Sequence, residues 1–126
     1  MPALRELLNL GDLLKYEEET LRYSRDQVTV AAGASLELGA VVGRVTTTGK
    51  IERFDHDATD GTEHPAGILL GEVDASLGDY PDGIMLARHG IVASVAVVWP
   101  EGITSPQKAA AIAALETRGI LIRQSA

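Results

Sequence analysis

At 126 residues, with no cysteine and a formal net charge of −7 at pH 7, the chain has the length of one domain and no disulfide or thiolate chemistry. A domain of this length buries roughly two-thirds of its unfolded surface, enough for a core without covalent staples. The acidic balance disfavours any binding that depends on phosphate contacts, which draws on clustered Lys and Arg, so nucleic acid is not an expected partner.

The first stretch, MPALRELLNLGDLLKYEEE, is broken by Arg5, Glu6, Asp12 and Lys15, so neither a signal peptide nor a membrane span is expected and the chain should be soluble. Leucines at 4, 7, 8, 10, 13, 14 and 21 and the block Glu17, Glu18, Glu19 set residues 1–26 apart as an arm. Leu4, Leu7 and Leu8 have helical spacing, Gly11 interrupts it, and Asp12 is placed to cap a second short turn. Spacing alone leaves two alternatives open: an amphipathic segment folded back on its own body, or an arm that binds a partner.

A β-rich body follows over residues 27–126. Val28 to Val30 form a short strand, AAGAS turns, and Leu36 to Val45 read as one strand, with Gly39 and Gly43 on a single face. Glycines inside a strand mark a bend or the close approach of another backbone, as a tightly curved barrel requires. TTTGK turns into a strand through Ile51 and Phe54, and the loop DHDATDGTEHP leads to a strand over Ala66 to Leu70. GEVDASLGDYPDG reads as a long loop with turn chemistry at Pro81, Asp82 and Gly83, and Ile84 to Ala87 as the strand after it. Ile91 to Trp99 is apolar on both faces apart from Ser94, which predicts a central strand or one with an oligomer contact on one side.

The ending is the most explicit part. Pro100 stops the strand, Thr104 and Gln107 form a capping box, and Pro106 occupies the first turn, where its missing N–H does no harm. A helix from about Thr104 to Arg118 runs on alanine, with Ile112 and Leu115 as a narrow apolar stripe. Gly119 is its left-handed stop, and Ile120 to Ile122 return to strand.

Catalytic chemistry is not visible. Asp55, His56, Asp57, Asp60, Glu63 and His64 are rich in metal-ligand atoms, but counting from Asp55 a calcium loop would need an acid or amide where Thr59 stands, glycine at Asp60 and glutamate at Ala66. A solvated acidic turn closed by Asp60 and Gly61 fits better. His89 precedes Gly90 with no proton-transfer partner nearby in sequence and reads as a turn residue. No serine lies in a nucleophile elbow and no glycine run cradles phosphate, so the chain is not expected to be an enzyme. Trp99, the single tryptophan, is an anchor of the core or of a subunit contact.

Taken in order, VTVAAGASLELGAVVGRV, DGTEHPAGILLGEVDAS and the WPEG to GILIR ending resemble the lambda-type head decoration proteins of tailed bacteriophages, across Tyr23 to Arg123. The resemblance implies a mainly β fold and a structural virion protein. It would be a homotrimer bound to the major capsid protein at three-fold and quasi-three-fold positions outside the expanded head, without cofactor or metal, after assembly in the host cytoplasm. It also favours the partner-binding arm, with Leu8, Leu10, Leu13, Leu14 and Tyr16 as capsid-binding residues. The body is then a small distorted barrel or sandwich with one helix in its C-terminal half, in which Val95, Val97, Trp99, Ile112 and Leu115 pack the core or the trimer. The alternative reading is a cytosolic small-ligand or metal-binding β-barrel, with the acidic loop and His64 as its site. A barrel subunit of an enzyme with catalytic residues on another chain is a third.

Overall fold

The computed structural model describes residues 9–17 and 21–124. Two single helical turns and a strand come first: α1 (Leu10–Leu13), β1 (Leu14–Glu17) and α2 (Leu21–Ser24). Eight short strands follow: β2 (Arg25–Val30), β3 (Ser35–Leu36), β4 (Val41–Arg44), β5 (Ile51–Arg53), β6 (Pro65–Leu69), β7 (Val73–Asp74), β8 (Tyr80–Leu86) and β9 (Gly90–Ala93). A 3-10 turn at Ser94–Ala96, the helix α3 (Ser105–Glu116) and β10 (Ile120–Arg123) complete the described chain.

Five strands close a barrel in the order β2-β5-β4-β6-β8. Its neighbours are antiparallel except at the closure, where β2 meets β5 in parallel through Val30 and Ile51. A three-stranded sheet lies outside the barrel with β9 in the middle, antiparallel to β1 and parallel to β10. The pair β3-β7 forms a small flap.

All five barrel strands contribute to one core, which is therefore the barrel interior, with Val28, Val42, Ile51, Leu69 and Met85 among its members. A second core joins Val41, Ile68 and Leu86 on the outer face of β4, β6 and β8 to Leu13, Val92, Leu115 and Ile120. Adjacent residues on these three strands, Val41 and Val42, Ile68 and Leu69, Met85 and Leu86, thus point into different cores. That double burial is why β4, β6 and the end of β8 read as apolar runs rather than alternating ones.

Three expected elements differ. The strand expected over Leu36 to Val45 is split at Gly39, which adopts φ 91° and where an added Cβ would stand 2.2 Å from the Ala96 carbonyl oxygen. Gly39 donates to the Leu69 carbonyl (2.9 Å) and accepts from the Val98 amide (2.9 Å), so it welds the chain crossing after β9 to the barrel. The same weld breaks the strand expected over Ile91 to Trp99. To bring Val98 beside Ala40, the backbone must leave the sheet through the Ser94–Ala96 turn. Finally, Tyr80 to Gly83 are extended rather than turned, because Tyr80 pairs with Val30 and Gly83 with Val28, and β7 occupies part of the supposed loop.

The helix follows its local signals. The Thr104 side chain accepts from the Gln107 amide (3.2 Å), the Gln107 side chain accepts from the Thr104 amide (3.0 Å), and Gly119 takes φ 77°. Its buried stripe is Ala111 and Leu115, with Ile112 half-buried, while Ala109, Ala110 and Ala113 face solvent. Close approach is thus made by one alanine, not by the whole alanine face.

Replacing Gly39 by alanine should lower stability by more than about 2 kcal/mol, since the left-handed backbone alone costs a side chain roughly 1–2 kcal/mol and the Ala96 carbonyl must also move. Urea unfolding of Gly39→Ala beside Gly33→Ala, whose added Cβ meets nothing within 4 Å, separates the two costs.

Candidate functional site

The N-terminal segment is built onto the body. Asn9, not Asp12, caps α1: the Asp12 amide donates to Asn9 Oδ1 (3.0 Å) and the Asn9 amide to Asp12 Oδ2 (2.9 Å). Leu13 is fully buried in the outer core, its Cδ1 facing Gly39, and Leu10 and Leu14 pack against the same cluster. In the isolated chain Leu13 is thus a core residue, with Leu10 and Leu14 half-buried at its edge. The pairing of β1 with β9 turns them inward, and Tyr16 is left 57% exposed. Leu8 lies outside the described residues. Within the expected arm of residues 1–26, α1 packs on the outer core and β1 pairs with β9.

Two clasps hold this segment. Glu17, with a side chain only 11% exposed, accepts from Arg25 Nε (3.0 Å) and Nη2 (2.5 Å), and from the hydroxyl of the fully buried Ser24 (2.7 Å). The Arg25 hydrogen bonds hold the Glu17 carboxyl below its ordinary range; burial opposes them and Ser24 assists. In the second clasp Arg88 grips Asp26 through both nitrogens (3.2 and 3.0 Å), donates to the Tyr23 carbonyl and lies over the Tyr23 ring. His89, between β8 and β9 with φ 55°, meets the same ring edge-on at 4.9 Å. Its turn position was readable in sequence; its role as a prop for Tyr23 was not.

Of the residues expected in core or trimer packing, Val97 and Leu115 are buried and Trp99 and Ile112 partly so, with Lys108 over the Trp99 ring at 5.8 Å. Val95 is 83% exposed at the 3-10 turn, so it is not a core residue: the loss of strand geometry after Ala93 turns it outward. Leu77, Tyr80 and Ile84 are further exposed apolar side chains that the sequence did not single out.

The arrangement therefore offers backbone edges and scattered apolar contacts around a rigid body, with the capped helix and the Trp99 crossing in fixed relation to the barrel. A family model described as the bacteriophage lambda head decoration protein D matches residues 3–120. The chain belongs to the lambda head decoration protein family. None of the curated proteins compared with it matches. As a member of that family it is a structural protein of the phage head that decorates the capsid, and the family is not normally enzymatic.

In this decoration protein the acidic loop is organised by its own turns. Asp60 Oδ1 accepts from the Thr62 hydroxyl (2.6 Å) and amide (3.0 Å), contacts that hold its carboxyl below the ordinary range. Asp55 accepts from the Asp57 amide (3.0 Å), and Glu63 from the Gly61 amide (2.8 Å). His64 is exposed, 3.5 Å from Glu63. Among the described residues no three metal-ligating side chains converge.

Leu13→Ala should destabilise the decoration protein by about 2–5 kcal/mol, the range for deleting a buried leucine, as read by thermal or urea unfolding. A Glu whose folded pKa is depressed contributes stability that is complete above the ordinary value, near 4.5, and is lost as the pH falls through the lowered one. Glu17→Gln should therefore be less stable at neutral pH and show a shallower loss of stability on acidification than the unaltered protein, measured as melting temperature against pH.

Proposed function

We propose that this decoration protein is a homotrimer that binds the major capsid protein on the outside of the expanded head, at three-fold and quasi-three-fold positions, and stabilises the shell mechanically. The observation that carries the reading is the outer edge of β1. It is the edge strand of the β1-β9-β10 sheet, nothing pairs with its outer side among the described residues, and Tyr16 projects from it into solvent. Such an edge gains affinity from main-chain hydrogen bonds with an added strand and specificity from alternate side chains. The clasps and Leu13 anchor the described chain from Asn9 to this edge. Within the arm of residues 1–26, the capsid contact is assigned to residues 1–8, Leu8 among them, together with the β1 edge and Tyr16.

Three such edges on one rigid trimer act as a single multivalent ligand, so weak individual contacts suffice. No cofactor or metal enters the mechanism, and a chain without cysteine suits assembly in a reducing host cytoplasm.

Expanded capsids of the parent phage lacking decoration test this directly. The unaltered protein should sediment with them to saturation and raise their temperature of disruption. Deleting residues 1–8 or changing Tyr16→Glu should weaken binding at least about tenfold, as expected when a charge is placed on a pairing edge. A folded protein that never sediments with capsids would overturn the function, and equal binding by both variants would place the docking surface elsewhere.

A further inference from the structure

One end of the barrel is open and positively charged in an otherwise acidic protein. Buried Ala66, Met85 and Ala87 form the apolar floor of a cavity of about 200 Å3, rimmed by Arg44, His64, Arg118 and Asp26. Topology brings these together: Arg44 ends β4, Ala66 lies near the start of β6, Ala87 just follows β8, and Asp26 lies near the start of β2, so antiparallel strands deliver all four to one rim. Arg118 arrives from the turn between α3 and β10.

The charges at this mouth do not balance. Asp26 is already matched by Arg88 (3.0 Å), and His64 faces Glu63. Arg44 donates one nitrogen to the Gly49 carbonyl (2.8 Å), and among the described residues neither Arg44 nor Arg118 is paired with a carboxylate. Two guanidinium forks beside an apolar floor are suited to carboxylates, which they bind bidentately and more strongly where water is excluded.

The same chain carries the complement. Asp55, Asp57 and Glu101 are exposed around a shallow cavity of about 60 Å3 between the acidic loop and the turn after Pro100, and none is paired with a Lys or Arg among the described residues. A closed ring of identical copies joins two different patches of one chain, patch to complementary patch, all the way round. We propose that in the trimer the basic barrel mouth of one copy receives the acidic ledge of Asp55, Asp57 and Glu101 from the next, a contact that rests on the trimeric reading above. The mouth is thus the receptor side of the subunit interface, and an acidic segment of a second copy is its ligand.

The test is charge reversal with rescue, followed by sedimentation equilibrium from micromolar to millimolar protein, with circular dichroism to establish folding. Arg44→Glu with Arg118→Glu should weaken assembly at least about tenfold, the scale of close interfacial charge pairs. Asp57→Lys with Glu101→Lys should do the same, and the chain carrying all four changes should regain most of the lost affinity. If the reversed mouth fails to fold, Arg44→Gln with Arg118→Gln gives the same comparison with a smaller loss. A protein that is trimeric and indifferent to both reversals overturns this contact and leaves the trimer standing, as does a loss that the reversed ledge does not rescue. A protein that stays monomeric throughout, and remains singly bound on capsids after crosslinking, overturns the trimer itself.

Discussion

Two strands of the barrel, β4 and β6, and the end of a third, Met85 and Leu86 of β8, are buried on both faces, and the rest of the molecule is arranged to satisfy that constraint. A five-stranded barrel fills its own interior, but Val41, Ile68 and Leu86 point outward and must be covered. Both ends of the chain supply the cover. Leu13 comes from the N-terminal segment and Leu115 and Ile120 from the C-terminal one, with Val92 of β9 between them. The segment that looks like an appendage is therefore part of the lid over the second core.

The contact that allows the two layers to meet is backbone on backbone. Gly39 lies so close to the Ala96 carbonyl that no side chain fits between them, and Leu13 packs alongside. Backbone bonds from Val98 to Gly39 and from Val41 to Val98 then tie the crossing after β9 to the start of β4. The capped helix follows this crossing directly, so its position over the barrel depends on one glycine far away in sequence.

How much of this was legible follows from how local each cause is. The capping box of Thr104 and Gln107, Pro106 and the Gly119 stop act within a few residues, and α3 formed where they placed it. The mainly β character was likewise readable from β-branched runs and turn residues. The split at Gly39, the turn at Ser94–Ala96 and the extended Tyr80 to Gly83 are set by partners many residues away, to which periodicity is blind. Leu10, Leu13 and Leu14 had the spacing of a docked segment as much as of a free arm, and the pairing of β1 with β9 that packs them on the body involves a strand more than seventy residues away. The clasps were hidden for the same reason: Glu17 reads as the first of three glutamates until Arg25 and Ser24 are seen to close on it. The exposed ion pairs, Lys50 with Asp79 and Arg53 with Glu37, add little stability, as is usual for solvated pairs.

The central claim is that the chain from Asn9 onward is one cooperative unit, with β1 as much a part of it as β9. Native-state hydrogen exchange on the free protein measures this most directly, because amides that open together share one opening free energy. The account predicts that the β1 amides bonded to β9 exchange only with the opening that also releases the β9 amides bonded to β10. Rapid exchange throughout Leu14–Glu17, with β9 still protected on its β10 side, would contradict it and return the segment to the status of a separable arm.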